Sequence, residues 1–221
     1  MSATESRACN ICDGNSFEAG PGGRMARTGL PPRCSGCWSL ERHRSLRNAF
    51  LQIPREVLDG RRALQFAPDG SLDPEWFSSY EKSIYGGENS IDLESIPRED
   101  GSYDFISLSH VLEFVADDRR AFAELVRVGS PSLVLHVTFA SGMRGESRHF
   151  DEPQPPYGRF HDYGADMPEW LGVAGHGLDV VEGRFTDPVT DVAESAHFFV
   201  RSAADAEALR SAFAAAGSPV G

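Results

Sequence analysis

The sequence predicts an α/β protein built on a doubly wound, mostly parallel sheet, with a small four-cysteine module in front of it. Three observations support this fold class. All four cysteines lie within the first 37 residues, short apolar runs alternate with amphipathic segments from about residue 63 to residue 137, and two extended segments close the chain without a long helix between them. Alternating strands and helices are typical of a parallel sheet, and two neighbouring late strands are typical of a hairpin.

The first element is a pair of Cys-x-x-Cys motifs, and its four thiols are Cys9, Cys12, Cys34 and Cys37. Each motif can present two thiolates to one tetrahedral ion. The segment between the motifs is rich in glycine and proline, so it cannot build a core of its own, and Zn²⁺ would supply the missing folding free energy. We therefore predict a structural zinc site. Redox-active or incidental cysteines are the alternative, but paired Cys-x-x-Cys motifs outside a βαβ unit seldom act as redox sites.

The next element is an amphipathic helix from Trp38 to about Pro54, which links the module to the rest of the chain. We place the module and this helix in residues 1–53 and the main domain in residues 54–221. The remaining predicted elements are strands at 63–67, 79–84, 104–109 and 133–137, helices at 117–128, 167–174 and 203–216, and extended segments at 178–181 and 196–201. Asp117 or Asp118 is placed to cap the helix at 117–128. Residues 143–163 form a polar, proline-containing insertion.

Charge is distributed unevenly along the chain. The formal net charge is -12, yet residues 1–62 contain ten arginines and six acidic residues, which leaves -16 on the remainder. An acidic main domain repels phosphate backbones and argues against nucleic acid as its partner. The N-terminal arginines are compatible with a nucleic-acid or protein contact, although a solvated helix face is the usual explanation.

No apolar run reaches the roughly 18 residues that a membrane span requires. The N-terminal segment is polar and lacks the apolar core of a signal peptide. We therefore expect a cytoplasmic, soluble protein without a membrane partner.

Four short motifs follow one another in the main domain. They are Asp92-Leu93, Gly101-Ser102-Tyr103-Asp104-Phe105-Ile106, Ser109-His110-Val111-Leu112-Glu113 and Glu124-Leu125-x-Arg127-Val128. In this order they resemble the class I S-adenosylmethionine (SAM)-dependent methyltransferases, above all bacterial members with an N-terminal zinc ribbon. In those members a Ser-Leu-Glu-Arg-His-Arg run follows the second Cys-x-x-Cys motif, as at 39–44 here, and an Ala-Pro turn ends the first strand. The likeness extends from Cys9 to about Val200.

The resemblance implies a Rossmann-like, seven-stranded sheet with a late antiparallel hairpin, and SAM bound across the carboxyl ends of the early strands. The first cofactor loop of the family corresponds to Phe66, Ala67, Pro68, Asp69 and Gly70. The usual Gly-x-Gly signature is absent from this loop, so the backbone groups of Ala67, Asp69 and Gly70 would have to contact the cofactor. An ordinary turn is the alternative.

Two further positions carry over to the nucleoside part of SAM. In the family, an acidic residue at the end of the second strand binds both ribose hydroxyls. Ser83 aligns at that position in this chain, and Glu81 lies nearby as a candidate substitute. Asp92 matches the position that accepts a hydrogen bond from the adenine amino group, and the Leu93 amide would reach a ring nitrogen. A turn-capping role of Asp92 is the alternative.

The substrate side involves the end of the fourth strand and the insertion. Ser109 and His110 fall at that strand end, and His110 is the leading titratable candidate, with a packed, hydrogen-bonded histidine as the alternative. Phe114, where many relatives carry a histidine, predicts an apolar wall. In the insertion, the candidates for pairing with an acceptor carboxylate or phosphate are Arg148 and Arg159, and the candidate bases are His149 and His161. A polar surface loop is the alternative for the insertion.

Methyl transfer from a sulfonium requires alignment of the acceptor and, for a hydroxyl or ammonium acceptor, removal of a proton. It needs no covalent nucleophile, which agrees with the absence of a Gly-x-Ser-x-Gly or Walker motif. We expect a SAM-dependent methyltransferase that acts on a small-molecule or natural-product acceptor. Three alternatives remain open: a SAM-fold binding protein without methyl transfer, a zinc-ribbon interaction module on an inert carrier, and a SAM-dependent enzyme with a non-methylating outcome.

Overall fold

The computed structural model describes residues 7–139 and 145–218, so the first two residues of the predicted insertion lie outside the described residues. The strands are β1 (Phe17–Glu18), β2 (Arg33–Cys34), β3 (Arg62–Phe66), β4 (Ser79–Ser83), β5 (Tyr103–Ser109), β6 (Gly129–Thr138), β7 (Arg148–Gln154), β8 (Arg159–Asp162), β9 (Asp179–Thr186) and β10 (Ala193–Val200). The α-helices are α1 (Glu41–Gln52), α2 (Asp118–Val128), α3 (Met167–Trp170) and α4 (Ala203–Ala215). None of these helices is long and apolar enough to cross a membrane.

The central sheet has the strand order β4-β3-β5-β6-β10-β9. Its first four strands are parallel, and β10 runs antiparallel to both β6 and β9. The predicted α/β class and the late antiparallel hairpin are therefore confirmed. The seventh strand that the resemblance implies is not confirmed, because the described residues form six strands in this sheet and the chain between β4 and β5 contains neither helix nor strand. That segment includes Gly86, Gly87 and Pro97, which break a strand pattern.

Both faces of the sheet are buried, because successive residues of a strand point to opposite sides. In β10, Phe198 packs with α1 and α4 on one face, and Phe199 packs with α2 on the other. In β5, Phe105 packs on the same face as Phe198, and the adjacent Ile106 packs on the same face as Phe199. Strands that are buried on both faces have continuous apolar runs, which is why they could be predicted from the sequence.

Two predicted elements differ from the structure. The insertion contains an antiparallel hairpin, β7–β8, which the sequence did not indicate because most of its residues are polar and show no apolar alternation. The predicted helix at 167–174 is shorter, because Gly172 adopts a left-handed conformation with φ +70° and only a single turn, Val173–His176, follows it. By contrast, Asp117 is the N-cap of α2 as predicted, and its carboxylate accepts from the Arg120 amide at 3.0 Å.

The cysteine module is held on the sheet by a buried ion pair. The guanidinium of Arg44 in α1 donates Nε–H and Nη2–H to the two carboxylate oxygens of Asp187, at 2.7 and 2.8 Å, and both side chains are 0% exposed. Arg44 also donates to the carbonyl oxygens of Pro32 and Ser39 in the module, at 2.8 and 2.9 Å. Asp187 begins the β9–β10 turn and accepts from the Thr190 amide and hydroxyl. One guanidinium therefore joins the module, α1 and the late hairpin.

Further hydrogen bonds reach the β9–β10 turn from the module and from α1. The Thr28 hydroxyl donates to the carbonyl oxygen of Thr190 at 2.7 Å, and Ser45 donates to that of Val192 at 3.3 Å. The carbonyl groups of the turn are thus satisfied by the N-terminal segment, as buried backbone groups require. The proposed division into residues 1–53 and 54–221 stays a prediction.

One histidine lies in the core beneath α1. The ring of His136 in β6 is fully buried, with Nδ1 2.9 Å from the Ser107 hydroxyl and the Phe50 ring 4.9 Å away. Burial lowers the pKa of His136 from 6.5 to about 3, so the ring is neutral in the folded protein.

We expect the substitution Asp187→Asn to lower the free energy of unfolding by about 3–5 kcal/mol, because it leaves a buried guanidinium without its counter-charge. The matched control is Asp191→Asn in the same turn, which breaks an exposed pair with Arg7 whose side chains are 42% and 62% exposed. That control should change the free energy by less than about 1 kcal/mol. Urea unfolding followed by tryptophan fluorescence measures both, and equal losses would contradict this assignment.

The low pKa of His136 makes the stability depend on pH. Below pH 6.5 the unfolded chain protonates this ring and the folded protein does not, so the free energy of unfolding should fall as the pH is lowered from 6.5 toward 3. The ring contributes up to about 1.4 kcal/mol per pH unit to that slope. Replacement by glutamine should remove this part of the slope, as measured by urea unfolding at several pH values. An unchanged slope in His136→Gln would rule out the neutral, buried state.

Candidate functional site

A groove of about 900 Å³ runs along the carboxyl ends of β3, β4 and β5. From β3 the chain passes to the edge strand β4 and then returns to β5 on the other side of β3, so the groove lies where the strand order reverses. Ligands of open α/β sheets bind at such a switch point. The predicted site residues in its lining are Phe66, Ala67, Ser83, Asp92, Leu93 and His110.

Two strand ends turn sharply at this edge. Ala67 after β3 and His110 after β5 have left-handed φ angles of +48° and +54°. Their amides make the last ladder hydrogen bonds, to the carbonyl oxygens of Ser83 at 3.0 Å and Thr138 at 2.9 Å. Non-glycine residues adopt this conformation rarely, and they do so mainly where the surrounding structure holds them for a function.

The loop after β3 only partly faces the groove. Phe66 and Ala67 line it, whereas Pro68, Asp69 and Gly70 do not. The Asp69 side chain is turned inward, where its Oδ1 accepts from the Ser71 amide at 3.0 Å and from the Ser71 hydroxyl at 2.5 Å. Of the three residues predicted to contact the cofactor through their backbone, Ala67 lines the groove, whereas Asp69 and Gly70 do not.

Glu81 is turned away from the groove. Its carboxylate accepts hydrogen bonds from Arg98 at 2.6 Å, the Tyr103 hydroxyl at 2.5 Å and the Asn89 amide group at 2.8 Å. Burial raises the pKa of this carboxyl, but the bonds from Arg98 and Tyr103 outweigh burial and hold the pKa below its usual value. Ser83 lines the groove instead, and its hydroxyl oxygen accepts from the Ile91 amide at 3.1 Å, which leaves the hydroxyl hydrogen free to donate.

Asp92 lies in the exposed wall of the groove and caps a turn. Its Oδ1 accepts from the Glu94 amide at 2.9 Å, and its carbonyl oxygen accepts from the Ser95 amide at 3.2 Å. A carboxylate has two oxygens with several acceptor positions. The turn-capping role and a ligand-binding role of Asp92 are therefore compatible.

His110 lies between the groove and a second cavity. This second cavity is enclosed by α1, the ends of β5 and β6, and the late hairpin, and its lining includes Arg42, Leu46, Ser109, Phe185 and Glu194. His110 lines both spaces, and its Nδ1 lies 3.4 Å from the carboxylate of Glu113. Ser109 faces only the second cavity, and its hydroxyl lies 3.1 Å from that of Thr138.

The predicted candidates in the insertion do not reach the groove. His161 is buried, with Nδ1 3.3 Å from the Asp118 carboxylate and Nε2 3.4 Å from the carbonyl oxygen of Ala116. The His149 ring lies beside it, tilted by 42° with the ring centroids 4.9 Å apart, and Arg159 pairs with Asp162 at 2.6 Å. Asp118 also accepts from Tyr163 and Trp170, so this cluster anchors the hairpin. The hairpin residues that line the groove are Pro153, Gly158 and Phe160.

His43, the histidine of the run at 39–44, lies in the first turn of α1. Its Nδ1 accepts from the Leu40 amide at 3.2 Å, so the neutral ring carries its proton on Nε2. Burial lowers the pKa of His43 to about 4, while the carboxylate of Asp69 opposes that shift. A sequence signal existed, since His43 belongs to the run after the second Cys-x-x-Cys motif.

The four cysteines form one cluster. Their Sγ atoms all lie within 4.8 Å of one another, with Cys9–Cys37 and Cys12–Cys34 both at 3.6 Å. A disulfide would bring two sulfurs to about 2.05 Å, whereas four thiolates at about 2.3 Å from one ion lie roughly 3.8 Å apart. The sulfur positions therefore fit a tetrahedral metal ion.

The two cysteine loops share one backbone geometry. In each loop the first cysteine accepts from the amide four residues later, from Asp13 and from Trp38, and both of those residues are left-handed. The first cysteine also donates to the carbonyl oxygen five residues later in both loops. A Cβ on Gly14 would lie 3.3 Å from the sulfurs of Cys12 and Cys34, so this position leaves room only for the sulfur cluster.

Most of the N-terminal arginines form ion pairs with carboxylates of the described residues. Eight of them pair with carboxylates, namely Arg7, Arg24, Arg33, Arg44, Arg47, Arg55, Arg61 and Arg62. Paired guanidinium groups offer little net positive charge to a phosphate backbone. This arrangement favours the solvated or structural interpretation of the arginines over nucleic-acid binding.

Comparison with known proteins gives one family match. Residues 82–135, 54 of the 221, match the family described as a methyltransferase domain. The matched segment includes Ser83, Asp92 and His110 of the groove and ends before β6 does. No curated protein sequence matches the chain significantly.

Two solved structures illustrate what this chain is similar to. A 1,6-didemethyltoxoflavin-N1-methyltransferase from Burkholderia thailandensis, solved with S-adenosylhomocysteine (SAH), is 9% identical, with a TM-score of 0.50 over 72% of this chain and 78% of that chain. A SAM-dependent methyltransferase from Thermotoga maritima is 15% identical, with a TM-score of 0.43 over 72% of this chain and 91% of that chain. At such identities the likeness concerns the fold alone.

Proposed function

We propose that this chain, a SAM-dependent methyltransferase by its class I fold and its matched domain, binds SAM in the groove and methylates a small-molecule acceptor. The predicted family, fold class and enzyme class are confirmed at that level, while the acceptor and the site residues are proposals. The observation that carries the proposal is the position of Phe66, Ala67, Ser83, Asp92, Leu93 and His110 along one groove at the carboxyl edge of the sheet.

The groove residues fit the parts of SAM in the order of the strands. The backbone at Phe66 and Ala67 would approach the methionine part, the Ser83 hydroxyl would serve the ribose, and Asp92 with the Leu93 amide would serve the adenine. The volume of about 900 Å³ lies in the upper range of ligand pockets. When bound, SAM supplies the electrophilic methyl group.

His110 is the proposed base. With Nδ1 3.4 Å from Glu113, the ring directs its Nδ1–H toward a carboxylate and keeps Nε2 as the proton acceptor. A hydroxyl or ammonium acceptor would lose its proton to Nε2 as the new bond to the methyl carbon forms. The place of His110 in the lining of the groove supports this role.

The proposed acceptor is a small molecule with an apolar or aromatic part. The mouth of the groove carries the exposed rings of Tyr85 and Phe114, 96% and 43% exposed, and Phe160 of the hairpin faces the same space. Aromatic faces bind planar or apolar ligands well. The paired arginines and the acidic main domain argue against nucleic acid.

We also propose that Cys9, Cys12, Cys34 and Cys37 hold one structural Zn²⁺. The short sulfur distances and the matching loop geometry support it, and four thiolates leave no coordination position for water. The ion would serve as a cross-link between two loops that have no core of their own.

A second candidate function is SAM-fold binding without methyl transfer. One observation favours it: the carboxylate of Glu81, the only substitute for the family's ribose acid that the sequence offered, is occupied by Arg98 and Tyr103. Tight binding of SAM without a methylated product from any acceptor would favour this candidate or a non-methylating reaction.

The cofactor proposal predicts that SAM and SAH bind with micromolar affinity and that Asp92→Ala weakens binding at least about tenfold, or about 1.4 kcal/mol. Asp92→Asn should weaken binding as well, because it keeps a capping oxygen but replaces the other oxygen with an amide group. Isothermal titration calorimetry measures the affinities, with Asp59→Ala as control, because Asp59 is exposed and precedes the amino end of β3, whereas the groove lies at its carboxyl end. Undetectable binding to the wild-type protein would refute the methyltransferase proposal.

The zinc proposal predicts one Zn²⁺ per chain in protein purified under reducing conditions. Metal analysis measures the total zinc, and a reagent that modifies the cysteine thiols should release the same amount. Chelation should lower the melting temperature, because the metal supplies folding free energy to the module. Cys12→Ser should retain less zinc, whereas Ser35→Ala in the second loop should retain a full equivalent. Two disulfides in place of the metal would contradict the proposal.

A further inference from the structure

The first cysteine loop contacts the cofactor loop. Ile11 lies between the two cysteines of that loop, and its Cγ2 would be 3.7 Å from a Cβ placed on Gly70. Gly70 has a left-handed φ of +77°, so the loop already bends at the point of contact. A residue that two metal ligands flank therefore packs against the loop that begins at Phe66.

A second path leads from the cysteines to α1. The Ser39 hydroxyl lies 3.4 Å from the sulfur of Cys9 and 3.2 Å from that of Cys37. Arg44 donates to the carbonyl oxygen of Ser39 at 2.9 Å, and its own carbonyl oxygen accepts from the Asn10 side chain at 2.9 Å. Both cysteine loops thus fix the first turns of α1.

Helix α1 in turn supports the far end of the cofactor loop. Arg47, one turn beyond Arg44, donates to the carbonyl oxygen of Ser71 at 3.3 Å and to the Asp73 carboxylate at 3.4 Å. The cofactor loop is therefore supported at Gly70 by the first cysteine loop and at Ser71 by α1. Within the loop, the Asp69 side chain accepts from Ser71, and these two outside contacts add to that internal support.

We propose that the cysteine module is a part of the cofactor site: Ile11 is a positioning residue for residues 66–71, and metal binding to the four cysteines strengthens SAM binding. This inference rests on the proposed function. Without the metal, the two cysteine loops lose the cross-link that holds Ile11 and Ser39 in place. The cofactor loop must then become ordered when SAM binds, and the entropy lost in that step weakens SAM binding. By linkage, SAM must strengthen metal binding by the same factor.

The test is calorimetric titration of the full-length protein with SAH in three forms: zinc-loaded wild type, metal-depleted wild type, and zinc-loaded Ile11→Ala. We expect the metal-depleted protein to bind SAH about tenfold more weakly, and Ile11→Ala about fivefold more weakly while it keeps one Zn²⁺ and its melting temperature. The matched control is Trp38→Ala in the second cysteine loop, whose side chain is 67% exposed and lies against Arg33. It should bind SAH as the wild type does.

The reciprocal measurement uses zinc itself. Competition with a chromophoric chelator gives the zinc affinity with and without saturating SAH, and SAH should raise it by the factor seen in the SAH titrations, but by less in Ile11→Ala. If metal depletion unfolds the chain, Ile11→Ala and the zinc competition decide the question.

Two outcomes overturn the inference in distinguishable ways. Equal SAH affinity of wild type and Ile11→Ala, with zinc affinity indifferent to SAH, would overturn it and leave the proposed function intact. No binding of SAH to the zinc-loaded wild type would remove the proposed function and this inference together.

Discussion

The arrangement of the whole molecule depends on one buried charge, the guanidinium of Arg44. A charge removed from water is tolerated only when its donors all find acceptors, and here Asp187 supplies the counter-charge while Pro32 and Ser39 supply carbonyl oxygens. These acceptors come from the cysteine module and from the late hairpin, which are about 150 residues apart in the chain. Because a guanidinium is planar and rigid, satisfying it fixes the position of the module and of α1 over the sheet. In this position α1 forms one wall of the second cavity.

The elements that could be predicted are those whose burial is visible locally. β5 and β6 are covered on both faces and therefore have continuous apolar runs, and α2 has an N-cap at Asp117 directly before its apolar periodicity begins. The hairpin β7–β8 could not be predicted, because it packs through a few residues such as Phe160 and His161 and is otherwise exposed. The shortening of α3 depends on one left-handed residue, Gly172, which a helical pattern does not reveal.

For the candidate site, the sequence predicted which residues stand at the strand ends but not where their side chains point. Topology alone brings the ends of β3, β4 and β5 together, so Ala67, Ser83 and His110 meet along one groove. The direction of Glu81 follows from Arg98 and Tyr103, two residues that approach only after the chain folds. The surroundings of His43 likewise follow from the docking of α1, which is a tertiary property.

The left-handed turn at His110 explains how its side chain can line both the groove and the second cavity. In an extended strand the next side chain would point into a face of the sheet, where helices cover it. A positive φ at His110 costs about 1–3 kcal/mol, and the sheet offsets that cost by binding its amide to Thr138 and placing Glu113 near its ring. The imidazole is thereby lifted over the edge of the sheet, with the groove on one side and the second cavity on the other. The second cavity, of about 20 Å³, has room for about one water molecule, so the proposed base would meet both the acceptor and the methyl donor in the groove, at the strand end where the backbone is strained.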